Sequence, residues 1–166
     1  VYLVFNEGYS ATSGDALVRH ELCGEAIRLG RLLIDLMPDE PEAIGLLALM
    51  LLHHSRRDAR TSPDGELVIL EEQERSLWHH GEIAEGAALV ERALRMRRIG
   101  PYQVQAAIAA VHAQARTSAE TDWTEIAALY GRLARMNPTP VVELNRAVAV
   151  AMSEGAATGL RIIDGL

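Results

Sequence analysis

Leu33-Ile34-Asp35-Leu36-Met37-Pro38-Asp39-Glu40-Pro41 decides the fold. An amphipathic run stops at Met37, Pro38 and Pro41 follow, and a second apolar run begins. The same rhythm returns at Leu94-Arg95-Met96-Arg97-Arg98-Ile99-Gly100-Pro101 and at Leu133-Ala134-Arg135-Met136-Asn137-Pro138-Thr139-Pro140. Proline suits the first turn of a helix, where its missing N–H is not needed, and it cannot continue the helix before it. The three stretches therefore read as helix–turn–helix hairpins joined in series, the pattern of an α-solenoid of TPR type. The expected fold is all-α: degenerate TPR-like hairpins wound into a right-handed superhelix, with residues 1–166 forming one helical-repeat domain. Such scaffolds usually bind and seldom catalyse, so no enzymatic activity is expected.

Composition narrows the class. At 166 residues, 49% of them hydrophobic, the chain can bury a real core. The net charge of −7 argues against a nucleic-acid surface, which would be basic. Every cation other than histidine is arginine, which suits bidentate contacts but also follows from codon usage alone. The lone Cys23 cannot form an internal disulfide, and no apolar run reaches membrane-spanning length, so a reducing cytoplasm is the expected location. Val1 opens within an apolar segment and Leu166 closes a helical pattern, so the chain is expected to be a fragment of a longer helical protein.

Helices are expected to about residue 9, from Ala16 to Met37, and from Pro41 to about Arg57. Further ones are expected from Glu71 to His80, from Gly81 to Arg98, from Pro101, from Asp122, and from Pro140 to Ser153. Ser10 to Asp15 reads as a loop that supplies helix caps. Leu22, Ala26, Leu29, Leu33 and Leu36 make one apolar stripe. The run Ile44 to Leu52 is apolar nearly all round and should form the central, most buried helix. Residues 58–70 carry turn chemistry at Thr61-Ser62-Pro63-Asp64-Gly65, then strand-like Glu66-Leu67-Val68-Ile69-Leu70, and predict a short irregular or extended insert. Asp122 with Glu125 reads as a capping pair. Trp123, Ile126, Ala127 and Tyr130 fit the first helix of a TPR unit, while Ala147 falls one residue off the position expected in the second.

No nucleotide-binding or nucleophile motif occurs, and no cofactor is expected. His53-His54 and His79-His80 lack metal-ligand spacing, because neighbours on a helix point about 100° apart. They read as solvated or capping histidines near helix ends, and no metal site is expected. Several polar and aromatic residues sit where a plain core does not need them: Asn6, Glu7 and Tyr9; Arg56, Arg57 and Arg60; Arg75 and Trp78; Tyr102, Gln105 and His112; Asn145 and Arg146. Arg28 on the second helix joins them. A solenoid lines a concave groove with such residues, and this set would suit an acidic peptide or a polar ligand. Hydrogen bonds and ion pairs that hold the helices together are the better explanation of any single member, less so of the set.

Longer segments carry a resemblance. They are Tyr2-Leu3-Val4-Phe5-Asn6-Glu7-Gly8-Tyr9, Glu25-Ala26-Ile27-Arg28-Leu29, Leu49-Met50-Leu51-Leu52-His53 leading to Arg56-Arg57-Asp58-Ala59-Arg60, and Gln73-Glu74-Arg75-Ser76-Leu77-Trp78. Gly100-Pro101-Tyr102-Gln103-Val104-Gln105-Ala106-Ala107-Ile108 and Pro140-Val141-Val142-Glu143-Leu144-Asn145-Arg146-Ala147-Val148-Ala149-Val150 complete them. Together they resemble the helical-repeat C-terminal extension of a subgroup of extracytoplasmic-function RNA polymerase sigma factors. Glu74 stands where that pattern has Asp, and Thr139 where it has Ser. The resemblance implies a regulatory extension of a promoter-directing protein, with the polymerase- and promoter-binding sigma domains upstream and further TPR-like helices downstream. The implied partners are those sigma domains and core RNA polymerase, without direct DNA contact by this segment and without a membrane.

Two other readings stay open. The segment could sense a small polar molecule or peptide in its groove, or act as a free-standing TPR-like adaptor. A deep pocket joining Glu7, Arg57, Arg75, Tyr102 and His112 would favour sensing; a shallow groove or a bare apolar patch would favour the scaffold.

Overall fold

The computed structural model describes residues 1–10 and 16–165. These form eight α-helices: α1 (Tyr2–Ser10), α2 (Ala16–Leu36), α3 (Pro41–His54), α4 (His80–Arg95), α5 (Pro101–Gln114), α6 (Trp123–Met136), α7 (Pro140–Glu154) and α8 (Ala156–Ile163). The chain is all-α, and no strand forms among the described residues. The insert expected at residues 58–70 is irregular, with one isolated antiparallel bridge between Thr61 and Leu67. Ser10 closes α1; the rest of the loop expected up to Asp15, and Leu166, lie outside the described residues.

The proline turns build helices as the sequence dictates. Pro41, Pro101 and Pro140 each stand in the first turn of a helix, where no N–H is missed. At α6 the Asp122 carboxylate accepts the Glu125 N–H at 2.9 Å, and at α7 the Thr139 hydroxyl accepts the Val142 N–H at 3.3 Å. Gly155 ends α7 with φ +96°, a conformation that favours glycine.

The helix expected from Glu71 to His80 does not form. Two 3-10 turns, Leu70–Glu72 and Arg75–Leu77, lead into α4 instead. Tertiary bonds override local propensity there. Arg75 donates to the carbonyls of His112 and Ala115 at 2.8 and 2.9 Å, Trp78 is buried, and the His79 N–H reaches the Ser55 carbonyl at 2.8 Å.

As expected, α3 is the central helix. Residues 43–52 are all buried, and α3 packs against α2, α4 and α5 and touches α1. Three apolar groups follow one another along the chain. Phe5, Cys23, Ala26, Leu47 and Met50 join α1, α2 and α3. Ala48, Leu52, Trp78, Val90 and Ala106 join α3, α4 and α5. Val104, Ile108, Ile126, Leu133 and Ala149 join α5, α6 and α7. Helix α5 thus buries two faces, and its alanines allow the close approach to α3.

The buried line of α2 is rotated from the expected leucine stripe. It runs through Cys23, Ala26, Ile27 and Gly30, while Leu36 is 72% exposed. Gly30 sets the rotation: a Cβ there would stand 2.7 Å from the Met50 side chain, so α3 approaches α2 along its small residues. Arg31 pairs with Glu85 of α4 at 2.7 Å.

The crossing of α3 and α5 is built around a carboxylate. The N-cap of α5 is Gly100, which has no side chain to cap with. Glu42 of α3 fills that role from a distance: its two oxygens accept the backbone N–H groups of Tyr102 at 3.0 Å and Gln103 at 3.1 Å. The same carboxylate accepts the Gln103 side-chain amide at 3.0 Å. An anion at a helix N-terminus satisfies orphan donors and complements the helix dipole. A Cβ at Gly100 would collide with the Glu42 carboxyl group, and one at Gly45 would lie 2.8 Å from the Gln103 backbone nitrogen. This crossing sets the start of α5 against the first turns of α3.

Candidate functional site

That placement leaves a cavity of about 310 Å³ between α3, the turn at Leu70, α5, α6 and α7. Leu49, Leu70, Ile108 and Ala109 supply its apolar wall. His53, Arg56, Gln105, His112, Tyr130 and Asn145 supply its polar groups. Among the described residues no aspartate or glutamate lines it. Its size falls at the lower end of pockets that hold small organic ligands, roughly 300–1,000 Å³.

The α-helical period places these groups. His53 stands one turn after Leu49 on α3, and Arg56 follows where the chain leaves that helix. Gln105, Ile108, Ala109 and His112 occur at i, i+3, i+4 and i+7 on α5. Arg56 donates through Nη2 to His53 Nδ1 at 2.9 Å and to the Tyr9 hydroxyl at 3.2 Å. Since a guanidinium only donates, His53 accepts at Nδ1 and carries its proton on Nε2. The guanidinium carbon also lies 6.0 Å over the Trp78 ring. Burial lowers the Arg56 pKa, with the nearby Tyr9 hydroxyl acting in the opposite sense.

Burial also holds both histidines neutral. His53 is pushed down to about 3, chiefly by desolvation and then by Arg56, Arg60 and His112. His112 is pushed down to about 4, chiefly by desolvation and then by Arg56, with Glu71 opposing and Arg75 adding. Its ring meets the Trp123 ring edge-on at 5.2 Å. Burial raises the Tyr130 pKa, so its hydroxyl stays protonated. The reading of His53 as solvated is corrected: it is part-buried among Tyr9, Arg56 and the cavity wall.

Unfolded histidine takes up a proton as pH falls through about 6.5, whereas His53 and His112 refuse it in the fold until about 3 and 4. Their contribution to stability is therefore full above pH 6.5 and is lost as pH falls toward 4. Each adds a slope approaching about 1.4 kcal/mol per pH unit within that window. Chemical denaturation at pH 7, 6 and 5 should show stability falling, and His112→Gln should remove about half of that slope. A pH-independent midpoint would contradict the assignment.

Other residues singled out in the sequence form structural ties around the cavity. Arg57 donates to Glu82 at 2.8 Å, to His54 Nδ1 and its carbonyl at 3.0 Å each, and to His79 Nδ1 at 3.1 Å. His79 continues to Asp58 at 2.6 Å. This network fastens the end of α3 to the start of α4, so His54 and His79 are bonded rather than solvated. Arg60 lies 3.5 Å over the Tyr9 ring and donates to the Tyr9 carbonyl at 2.7 Å. Arg75 stacks 4.4 Å over Trp78 while holding the end of α5. The Trp78 indole N–H is buried without a hydrogen-bond partner among the described residues.

The pocket that would have favoured sensing, joining Glu7, Arg57, Arg75, Tyr102 and His112, is not formed among the described residues; of these only His112 lines the cavity. Glu7 is exposed. Asn6 bonds Tyr2, and Tyr102 meets the Tyr2 ring edge-on at 5.4 Å. Arg28 pairs on the surface with Glu25 at 2.6 Å, and Arg146 with Glu143 at 2.8 Å. Gln105 and Asn145 do reach the cavity. Tyr130, which the pattern assigns to a TPR-like helix, and His53, which it groups with the paired histidines, line the cavity as well. Their convergence joins helices far apart in sequence. The one cue was Arg56 three residues after His53, a spacing that brings side chains together at a helix end.

Among the described residues no three His, Cys, Asp or Glu side chains come together in a metal-holding group, and no helix is long and apolar enough to cross a membrane. A family model described as "Family of unknown function (DUF6596)" matches residues 1–94, from α1 almost to the end of α4. The chain is 54% identical over 166 residues to an uncharacterized protein of Rhizobium meliloti (strain 1021), a match that covers 100% of this chain and 39% of the relative. The chain thus spans about two fifths of the length of that curated relative. No solved structure matches it.

Proposed function

The chain belongs to the DUF6596 family of unknown function, and we propose that it acts as the regulatory helical extension of an extracytoplasmic-function sigma factor. In this reading it is a TPR-like solenoid segment, located in the cytoplasm, that packs against the sigma domains of the same longer polypeptide and modulates transcription initiation by core RNA polymerase. The serial packing of helix on helix, with apolar groups handed from α1–α3 to α3–α5 to α5–α7, supports the solenoid arrangement. The sequence resemblance supports the sigma assignment.

One observation carries the interaction role. Val141, Leu144, Val148 and Met152 repeat at i, i+3, i+7 and i+11 on α7, and they are 67%, 47%, 49% and 56% exposed. A full apolar stripe at helical spacing, left open, is a docking face and not a chance scatter of surface residues. The occupant is another segment of the same polypeptide, in keeping with a relative of which this chain covers only 39%. Introducing Val148→Asp into the full-length protein should leave helix content intact and change promoter-directed transcription by at least about tenfold, the scale of a central interface contact. Unchanged transcription, with the variant folded, would remove the interaction role.

The cavity favours a second reading, in which the module senses a small molecule. A ligand would then shift the contact with the sigma domains only through differential affinity for two arrangements.

A further inference from the structure

We propose that the cavity between α3, α5, α6 and α7 binds a small organic carboxylate, its anionic end on Arg56 and its apolar body against Leu49, Leu70, Ile108 and Ala109. The ligand class deepens the sensing reading, but the site stands on its own geometry.

Arg56 is the cation of the lining. Its guanidinium is drawn away from water, yet among the described residues it bonds only a tyrosine hydroxyl and a neutral imidazole, through one nitrogen. A desolvated cation without a carboxylate is costly, and the fork of a guanidinium matches a carboxylate by two parallel bonds. The surrounding lining is complementary. Among the described residues it contains no acidic group, and it offers the Tyr130 hydroxyl, two imidazoles and the amides of Gln105 and Asn145 as neutral donors. A cationic ligand would meet repulsion from Arg56, and a bare inorganic anion would leave the apolar wall empty. About 310 Å³ suits a body of ring or branched-chain size.

Calorimetric titration of the full-length protein with benzoate, phenylacetate and 4-methylpentanoate tests this. At least one acid should saturate at one site per chain, and its amide should bind at least about tenfold more weakly, the scale of a charge-assisted pair. Binding should also change tryptophan emission, since Trp123 lies edge-on to His112 in the wall. Arg56→Gln should weaken the acid at least about tenfold, with Arg56→Lys keeping part of the affinity. Because Arg56 also ties Tyr9 to His53, a second variant guards against misfolding. Ala109→Phe fills the volume from the wall without removing a charge, and should abolish binding while the melting temperature holds. No saturation by any acid, equal binding of acid and amide, or undiminished binding in both Arg56→Gln and Ala109→Phe would overturn the site. Saturation without any effect on transcription would leave the site standing and remove only the sensing reading.

Discussion

Replacing Glu42 with alanine is expected to lower the melting temperature by roughly 6–12 °C, the equivalent of about 3 kcal/mol in a domain of this size. Three donors lose their acceptor at once: the Tyr102 N–H, the Gln103 N–H and the Gln103 side-chain amide. Gln103 is fully buried, so water cannot replace the lost bonds without opening the crossing. Its amide keeps one partner, the Arg98 carbonyl at 2.8 Å, while its side-chain oxygen already lacks a partner among the described residues. A capping side chain contributes up to about 2 kcal/mol, and a hydrogen bond to a charged acceptor about 1.5–3 kcal/mol. Glu42→Gln keeps the shape and an acceptor but loses the charge, so it should recover part of the loss. Thermal melts of the two variants beside the parent chain check this. An alanine variant as stable as the parent would show that α5 does not depend on this remote cap.

Gly45→Leu is expected to disrupt the fold. A single Cβ at Gly45 would already lie 2.8 Å from both the Gln103 Cγ and its backbone nitrogen. Backbone cannot swing aside as a side-chain tip can, so the added atoms must push α3 and α5 apart. Overpacking of this kind costs about 1–3 kcal/mol and more where backbone must move. Separating this pair would also pull Glu42 from the start of α5 and open the cavity. Gly131 on α6 provides the opposite control: a Cβ there meets nothing within 4 Å. Gly131→Ala should therefore stabilise the chain by up to about 1 kcal/mol, because alanine costs less backbone entropy in a helix. Circular dichroism and chemical denaturation of both variants measure the contrast. A well-folded Gly45→Leu protein would contradict the close crossing.

The sequence made the helices legible because their punctuation is local. Pro41, Pro101 and Pro140 open helices, Asp122 and Thr139 cap them, and Gly155 stops one. The run from Ile44 to Leu52 announced the central helix because nothing polar interrupts it. Failures came where distant groups outweigh local pattern. Residues 71–79 look helical, but Arg75, Trp78 and His79 are committed to α5 and α3. The leucine stripe of α2 was misplaced because Gly30, a residue without a side chain, decides where α3 can approach. Glu42 drew no attention in the sequence, since its partners lie 60 and 61 residues away.

The site was legible in its parts but not in its assembly. Gln105, His112 and Asn145 stood out as polar residues on apolar helices, and they do face one cavity. Arg57, Arg60, Arg75 and Trp78 stood out for the same reason, yet they tie helices together around it. Sequence pattern alone treats both groups alike, because a buried tie and a buried binding group need the same residue types. The pairing of His53 with His54 hides a difference that only the fold makes: His53 faces the cavity, while His54 bonds Glu82.

The most direct test is run-off transcription by core RNA polymerase supplemented with the full-length polypeptide that carries this chain. Initiation at specific promoters should depend on the polypeptide and change when the α7 stripe carries Val148→Asp. A full-length polypeptide that neither binds core polymerase nor directs initiation would contradict the regulatory role proposed for these helices.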